Sequence, residues 1–385
     1  MRLYGRIQYR QHDRRVRYVN SKQNFYCDKK HFFCCNKGFA FCFPYIGFII
    51  LRKEENMERL LVYVWLLVGF VCLIKGADFF VDGSSSVAKT FKVPSVIIGL
   101  TIVAMGTSLP ETAVSASAAL RGANAIAVSN VIGSNIFNLM VVVGICAAIK
   151  PVGVNKELMK RDFPFSLAAT VFMLIVIVDA QLFKATSNMI SRVNGITFLV
   201  MFVIYMFVLI KSTLEARKNA PDTVHDEEYK VLPLWLSIIY IVGGIIGIKV
   251  GGDLVVDSAS EIAARFGLSQ TLIGLTIVAC GTSLPELVTS IVASQKGEND
   301  LALGNVVGSN IFNILFVLGI SSTICPIKVE TKAVTDICVL LLFNVYIYIL
   351  TRTTHKVNRP GGISMVILYV LYTAYIIYRD LGAQM

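Results

Sequence analysis

Charge is scarce in this chain: 16% of its 385 residues are Asp, Glu, Lys or Arg, whereas 55% are hydrophobic. A soluble fold does not carry so much apolar surface, so a free-standing soluble domain is excluded. Histidine is scarcer still, with four in the chain and none inside the motifs described below. Imidazole is thereby removed both as a metal ligand and as the base of a serine nucleophile, and no Gly-x-Ser-x-Gly elbow is present. Of the nine cysteines, four (Cys27, Cys34, Cys35, Cys42) fall in the first 56 residues. Cys72, Cys146, Cys280, Cys325 and Cys338 lie in or near apolar segments without ligand-like pairing and read as small apolar fillers.

The basic excess is local. Net charge is +11, but residues 1–56 hold 12 Lys/Arg against 4 Asp/Glu, and the remaining 329 residues hold 24 against 21. A charge confined to one end is not a nucleic-acid footprint of the whole. Residues 1–56 are expected to be a basic N-terminal extension, disordered or not translated, with the chain proper opening at Met57 in MERLLVYVWLLVGF. A membrane-entering basic arm is the alternative.

What the chain has in abundance is uninterrupted apolar sequence, as in LVYVWLLVGFVCLI (61–74), PFSLAATVFMLIVIV (164–178) and ITFLVMFVIYMFVLI (196–210). A hydrocarbon core about 30 Å thick takes roughly 20 helical residues, so these blocks read as membrane spans. The expectation is an all-α, polytopic membrane protein with the lipid bilayer as its partner. Nucleic acid, an obligate protein partner and a cofactor are not implied.

The phrase AMGTSLPETAVS at 104–115 returns as ACGTSLPELVTS at 279–290. The offset of 175 holds without a gap, and 26 of the 41 residues from 98 to 138 are identical to their partners. This is a duplicated unit. Five spans per half are expected, about 60–76, 88–117, 124–148, 163–180 and 194–211, then 233–251, 262–292, 299–324, 333–350 and 362–379. An odd count makes the second copy enter from the opposite side, giving ten helices as two inverted five-helix repeats. The organisation is then a first repeat at 57–211, a connector at 212–230 and a second repeat at 231–385. Loops on the connector side carry about 15 Lys/Arg against about 8 opposite, which places the connector in the cytoplasm; a bacterial inner membrane is the expected location. The connector lacks the ordered acidic spacing of a calcium loop. Inverted repeats with interrupted helices are the pattern of a secondary transporter.

The repeated phrases hold the chemistry. Glu111 and Glu286 stand well inside the second span of each half, where a carboxylate costs several kcal/mol, about 3 or more, unless function retains it. Gly106 to Pro110 and Gly281 to Pro285 should break the helices at the centre, leaving the carbonyls of Ala104 and Ala279 without intrahelical partners. Thr107 and Ser108 precede Glu111 by four and three residues and share its helical face, as Thr282 and Ser283 do with Glu286. A second stripe follows at i, i+4, i+8: Asn130, Ser134 and Asn138, then Asn305, Ser309 and Asn313. Binding is expected at Ser134, Asn138, Ser309 and Asn313, while packing or capping competes with binding at Asn130 and Asn305. Gly133 and Gly308 should admit a close helix approach. Every donor is a hard oxygen, a set suited to calcium or sodium and not to zinc or copper. Asp78 and Asp82, with their counterparts Asp253 and Asp257, fall near the expected turns after the first spans and read as helix caps, or else as a weak cation-attracting mouth.

GTSLPE followed by GSNIFN in each half resembles the two α-repeats of the calcium/cation antiporter superfamily, specifically its prokaryotic sodium/calcium exchanger branch. The resemblance implies no enzyme but an antiporter of calcium and sodium ions that works by alternating access, with 60–76 and 233–251 sliding against the rest. It implies ligands at Ala104, Thr107, Ser108, Glu111, Ser134 and Asn138, and at Ala279, Thr282, Ser283, Glu286, Ser309, Asn310 and Asn313. Asn313 departs from members that carry aspartate there, which argues against potassium cotransport. Calcium/proton exchange is the alternative.

Overall fold

The protein, described by a computed structural model, is defined over residues 6–8, 15–20, 23–28, 44–120, 124–182, 189–218, 232–266, 279–329 and 331–382. It divides into two compact units, Met1–Tyr63 and Val64–Met385. In the first, β1 (Arg6–Gln8), β2 (Arg15–Asn20) and β3 (Gln23–Asp28) form an antiparallel sheet with β2 central, Tyr18 facing Ile7 on one side and Phe25 on the other.

The second unit is built almost wholly of helices. α1 (Pro44–Thr90), which belongs to this unit from Val64 onward, is followed by α2 (Ser95–Thr107) and α3 (Leu109–Leu120), which meet at a 48° bend. Then come α4 (124–149), α5 (158–182) and α6 (Arg192–Lys218). The second half holds α7 (Leu234–Arg265), a short turn at Ala279–Gly281, α8 (Leu284–Gln295), α9 (Asn299–Ile324), α10 (Thr331–Thr354) and α11 (Arg359–Gly382). Among the described residues, eight helices are long and apolar enough to cross a membrane, or nine if the bent α2–α3 pair is one span. The tenth expected span, 262–292, passes through residues 267–278, which lie outside those described.

Burial sets the layering. The most apolar window of α9 is 94% buried and that of α4 is 78% buried, against 22% for α6, α7, α10 and α11. The two helices that carry GSNIFN are therefore the core, and the outer helices present apolar side chains such as Leu67, Val203 and Phe207 outward, as a lipid-facing surface requires. Two short ladders tie the halves at the loops: β4 (Val152–Gly153) pairs with β7 (Lys356–Val357), and β5 (Met189–Ile190) with β6 (Ile327–Lys328).

α1 and α7 pack backbone to backbone. A Cβ on Gly76 would stand 2.6 Å from Ile248 N, and one on Gly244 would stand 2.7 Å from Phe80 N, so neither position admits a side chain. Both helices are longer than expected, because Asp78, Asp82, Asp253 and Asp257 do not end them. The capping role is thus corrected: these aspartates lie mid-helix. Lys296 Nζ, just past α8, reaches Asp78 Oδ1 at 2.6 Å and Asp82 Oδ1 at 2.5 Å, while Lys249 holds Asp253 at 2.8 Å. Elsewhere, Arg161 donates to the fully buried Asp162 through Nε (2.9 Å) and Nη2 (3.0 Å), and Tyr205 OH donates to the same carboxylate at 3.1 Å, fastening α5 to α6. Arg379 and Asp336 repeat the device between α11 and α10, at 2.9 and 3.1 Å.

Candidate cation site

The centre forms where two broken helices meet two unbroken ones. Pro110 cannot donate a backbone hydrogen bond, and Ser108 takes φ −86° and ψ 13°, so the chain turns between α2 and α3. In the second half Ser283 takes φ −96° and ψ 7°, directly before Leu284 and Pro285 open α8. Glu111 and Glu286 follow in the first turn of the new helix, where the N-terminal dipole favours an anion. Both side chains are completely buried.

Their hydrogen bonds cross between the repeats. Ser108 Oγ donates to Glu286 Oε1 at 2.7 Å, and Ser283 Oγ donates to Glu111 Oε1 at 3.2 Å. The sequence spacing puts each serine on its own glutamate's helical face, but the bend redirects each hydroxyl to the glutamate of the other copy. The second oxygens, Glu111 Oε2 and Glu286 Oε2, are buried without a hydrogen-bond partner. Leaving a buried polar atom so costs about 1–3 kcal/mol, and more when it is charged. One such acceptor is left in each repeat, chemistry that a cation could satisfy.

The neighbours supply further oxygens. Ser134 stands beside Glu111, and Ser309 beside Glu286. Asn138 Oδ1, Asn310 Oδ1 and Asn313 Oδ1 are buried and unpartnered. Thr107 has its hydrogen claimed, with Oγ1 3.1 Å from Val103 O, 3.3 Å from Ala104 O and 3.0 Å from Asn305 Oδ1, while its lone pairs stay open. Thr282 lies half-buried at the second bend. α4 and α9 each carry a π-turn at this level, Asn138–Val142 and Asn313–Val317, a deformation found often at functional sites.

One expectation is corrected. Ala104 O is not free of intrahelical partners, since it accepts from Ser108 N at 3.1 Å and, more weakly, from Ser309 Oγ at 3.4 Å. In the second copy the Ser283 N–H turns instead to Cys280 O, three residues back, at 3.2 Å. Ala279 opens its short turn at the edge of the described residues. Gly308 does admit the close approach, with its position 2.7 Å from Leu100 Cα for an added Cβ; the expectation for Gly133 falls on residue 275, the repeat counterpart of Leu100, which lies outside the described residues.

Asn130 and Asn305 prove to be braces. Asn130 Nδ2 donates to Ser115 Oγ (3.0 Å) and Glu111 O (3.4 Å), and Asn305 Nδ2 donates to Ser290 Oγ and Glu286 O at the same distances. Sequence reasoning missed Asn135, although the repeat aligns it with Asn310. Fully buried, Asn135 Nδ2 donates to Asn310 O and Asn310 Nδ2 returns the bond to Asn135 O, each at 3.2 Å.

Comparison with known proteins gives the family. The family model described as sodium/calcium exchanger protein matches residues 61–211 and 236–378. A putative antiporter CaxA of Alkalimonas amylolytica is 38% identical over 322 residues, 82% of this chain and 98% of that one. The inner membrane protein YrbG of Escherichia coli is 35% identical over 326 residues, 82% of this chain and 96% of its own. A solved structure of the sodium-calcium exchanger NCX_Mj is 33% identical, with a TM-score of 0.69 over 82% of this chain and 98% of that one.

Proposed function

The chain belongs to the sodium/calcium exchanger protein family, and from that premise we propose that it is a secondary antiporter expelling calcium from the cell at the expense of the sodium gradient. The observation that carries this reading is the pair Glu111 and Glu286, completely buried, each hydrogen-bonded by the other copy's serine and each with one oxygen unpartnered. Two carboxylates neutralise one divalent cation, or monovalent cations in its place, and that shared charge is the basis of exchange.

In this reading the halves 57–211 and 231–385 are inverted five-helix repeats joined by a cytoplasmic connector at 212–230. The transported ions meet Glu111, Glu286, Ser134, Ser309, Asn138, Asn310 and Asn313, with Thr107, Ser108, Thr282, Ser283 and the carbonyls of Ala104 and Ala279 completing the shell. Each carboxylate is held by a hydroxyl of the opposite repeat, so the shell stays one body while 60–76 and 233–251 slide against it and open it to either side in turn. That is the requirement of alternating access at a midplane site. Similarity to an inner membrane protein supports the bacterial inner membrane as its location.

The test is calcium uptake into everted vesicles. An imposed sodium gradient should drive it, and Glu111→Gln and Glu286→Gln should each abolish it. Flux driven by a pH gradient alone would assign calcium/proton exchange instead, and undiminished flux in both variants would remove the glutamates from the site.

A further inference from the structure

We propose that Asn135 is a positioning residue for transport: its side-chain oxygen holds the Asn313 amide so that the oxygen of Asn313, not its NH2 group, faces the cation. The proposal rests on the calcium/sodium reading above and adds a residue to it.

An asparagine amide can bind a cation only through its oxygen, because its nitrogen carries two donor hydrogens that repel positive charge. Rotating the amide by half a turn exchanges the two atoms at almost no steric cost, so an asparagine becomes a dependable ligand only when a neighbour fixes its orientation. At Asn313 the neighbour is Asn135. Asn313 Nδ2 donates to Asn135 Oδ1 at 3.1 Å, and Asn313 Oδ1 is left buried and unpartnered. The orientation of Asn135 is itself fixed, since its Nδ2 donates to the backbone carbonyl of Asn310 at 3.2 Å. Turning Asn135 over would set its NH2 against the NH2 of Asn313 and its oxygen against the Asn310 carbonyl. The chain of donors therefore starts at an atom that can only accept, and it ends by exposing an oxygen at position 313.

The other copy lacks this lock. Asn310 Nδ2 donates to Asn135 O at 3.2 Å, which fixes Asn310, but Asn310 Oδ1, Asn138 Oδ1 and Asn138 Nδ2 are all without partners. The bond from Asn138 to Asn310 that the repeat would supply is not formed. The two central amides are therefore unequal, with Asn313 a fixed acceptor and Asn138 free to adjust to the ion.

The test is a double-variant cycle on calcium binding by the purified full chain in sodium-free buffer, read by calorimetry. Asn135→Leu should raise the calcium dissociation constant about tenfold, the loss of one oriented acceptor. Asn313→Ala should raise it at least as much, and the double variant should bind no worse than Asn313→Ala alone, because Asn135 acts through Asn313. Multiplicative losses in the double variant, or an unchanged constant for Asn135→Leu, overturn the proposal while leaving the transport reading intact. If Asn135→Leu does not purify folded, Asn135→Ala serves in the same cycle, and failure of both assigns Asn135 to the fold and overturns its positioning role. A wild-type chain that binds no calcium would sink the transport reading itself, and this proposal with it.

Discussion

Glu111 and Glu286 show what a single residue can disclose. An acid placed mid-span between a proline and apolar neighbours is legible from the sequence because its cost there demands a reason. Its partner is not legible. Ser108 meets Glu286 across 178 positions and Ser283 meets Glu111 across 172, and helical periodicity assigned both hydroxyls to the wrong glutamate. Asn135 was hidden for the same reason, since its contacts are with Asn310 and Asn313 in the other copy. The repeat alignment to Asn310 was the signal that could have found it. At this scale Glu111→Gln or Glu286→Gln leaves a buried divalent ion half-compensated. Removing one partner of a buried charge pair costs about 3–5 kcal/mol, so calcium affinity should fall by at least about a hundredfold in direct binding. A second outcome follows from Asn313→Asp. The carboxyl can keep the bond to Asn135 Oδ1 only while protonated, and once ionised it adds a third negative charge beside Glu111 and Glu286. Calcium uptake by Asn313→Asp should therefore depend more steeply on pH than wild-type uptake, with affinity gained as pH rises and the proton leaves. Superimposable pH profiles would contradict this.

Among the elements, the breaks were readable and the fastenings were not. Gly106 to Pro110 announced the bend, and the structure has it at Ser108. The apolar blocks announced the spans, but not where α1 and α7 end, because Asp78 and Asp82 are satisfied by Lys296 of the opposite half and so do not stop the helix. The fate of the Ala104 carbonyl was likewise misjudged: a proline deprives the carbonyl four residues before it, Gly106, while Ala104 retains the Ser108 N–H. Nothing in the local pattern marked Asp162 and Arg161 as a fastening of α5 to α6, since Tyr205 completes it from 43 residues away. That cluster makes a prediction of its own. Asp162 is fully buried and receives three hydrogen bonds, so Asp162→Ala leaves the Arg161 charge without its counter-ion, held only by the neutral Ser212 hydroxyl of α6 at 2.6 Å. Stability should drop by about 3 kcal/mol, seen as a lower melting temperature in detergent. The Arg161→Met, Asp162→Leu pair, which removes both charges, should recover most of the loss. An unchanged melting temperature for Asp162→Ala would show that the cluster holds nothing.

For the whole molecule, duplication is the organising fact, and it explains why a chain so poor in charge can gather two carboxylates at its core. Each repeat alone would bury one acid with its own broken helix. On the proposed reading only the pair completes the shell; α4 and α9 are the most buried spans, and the short ladders join loops of the two halves. The folded chain thus carries unsatisfied buried oxygens that a cation would satisfy, and a ligand that binds only the folded state raises its stability by mass action. Calcium at 100 times its dissociation constant should stabilise the protein by about 2.7 kcal/mol, and sodium should do the same at higher concentration by entering the same shell. Added together, the two ions should not sum, because each displaces the other from one set of oxygens. Melting curves in detergent, taken with calcium, with sodium, with both, and with Glu111→Gln as control, decide the matter. Independent, additive shifts would mean separate sites, and a calcium shift that survives Glu111→Gln would locate calcium elsewhere. Competition, by contrast, is the equilibrium counterpart of exchange: one set of charges that neither ion can share with the other.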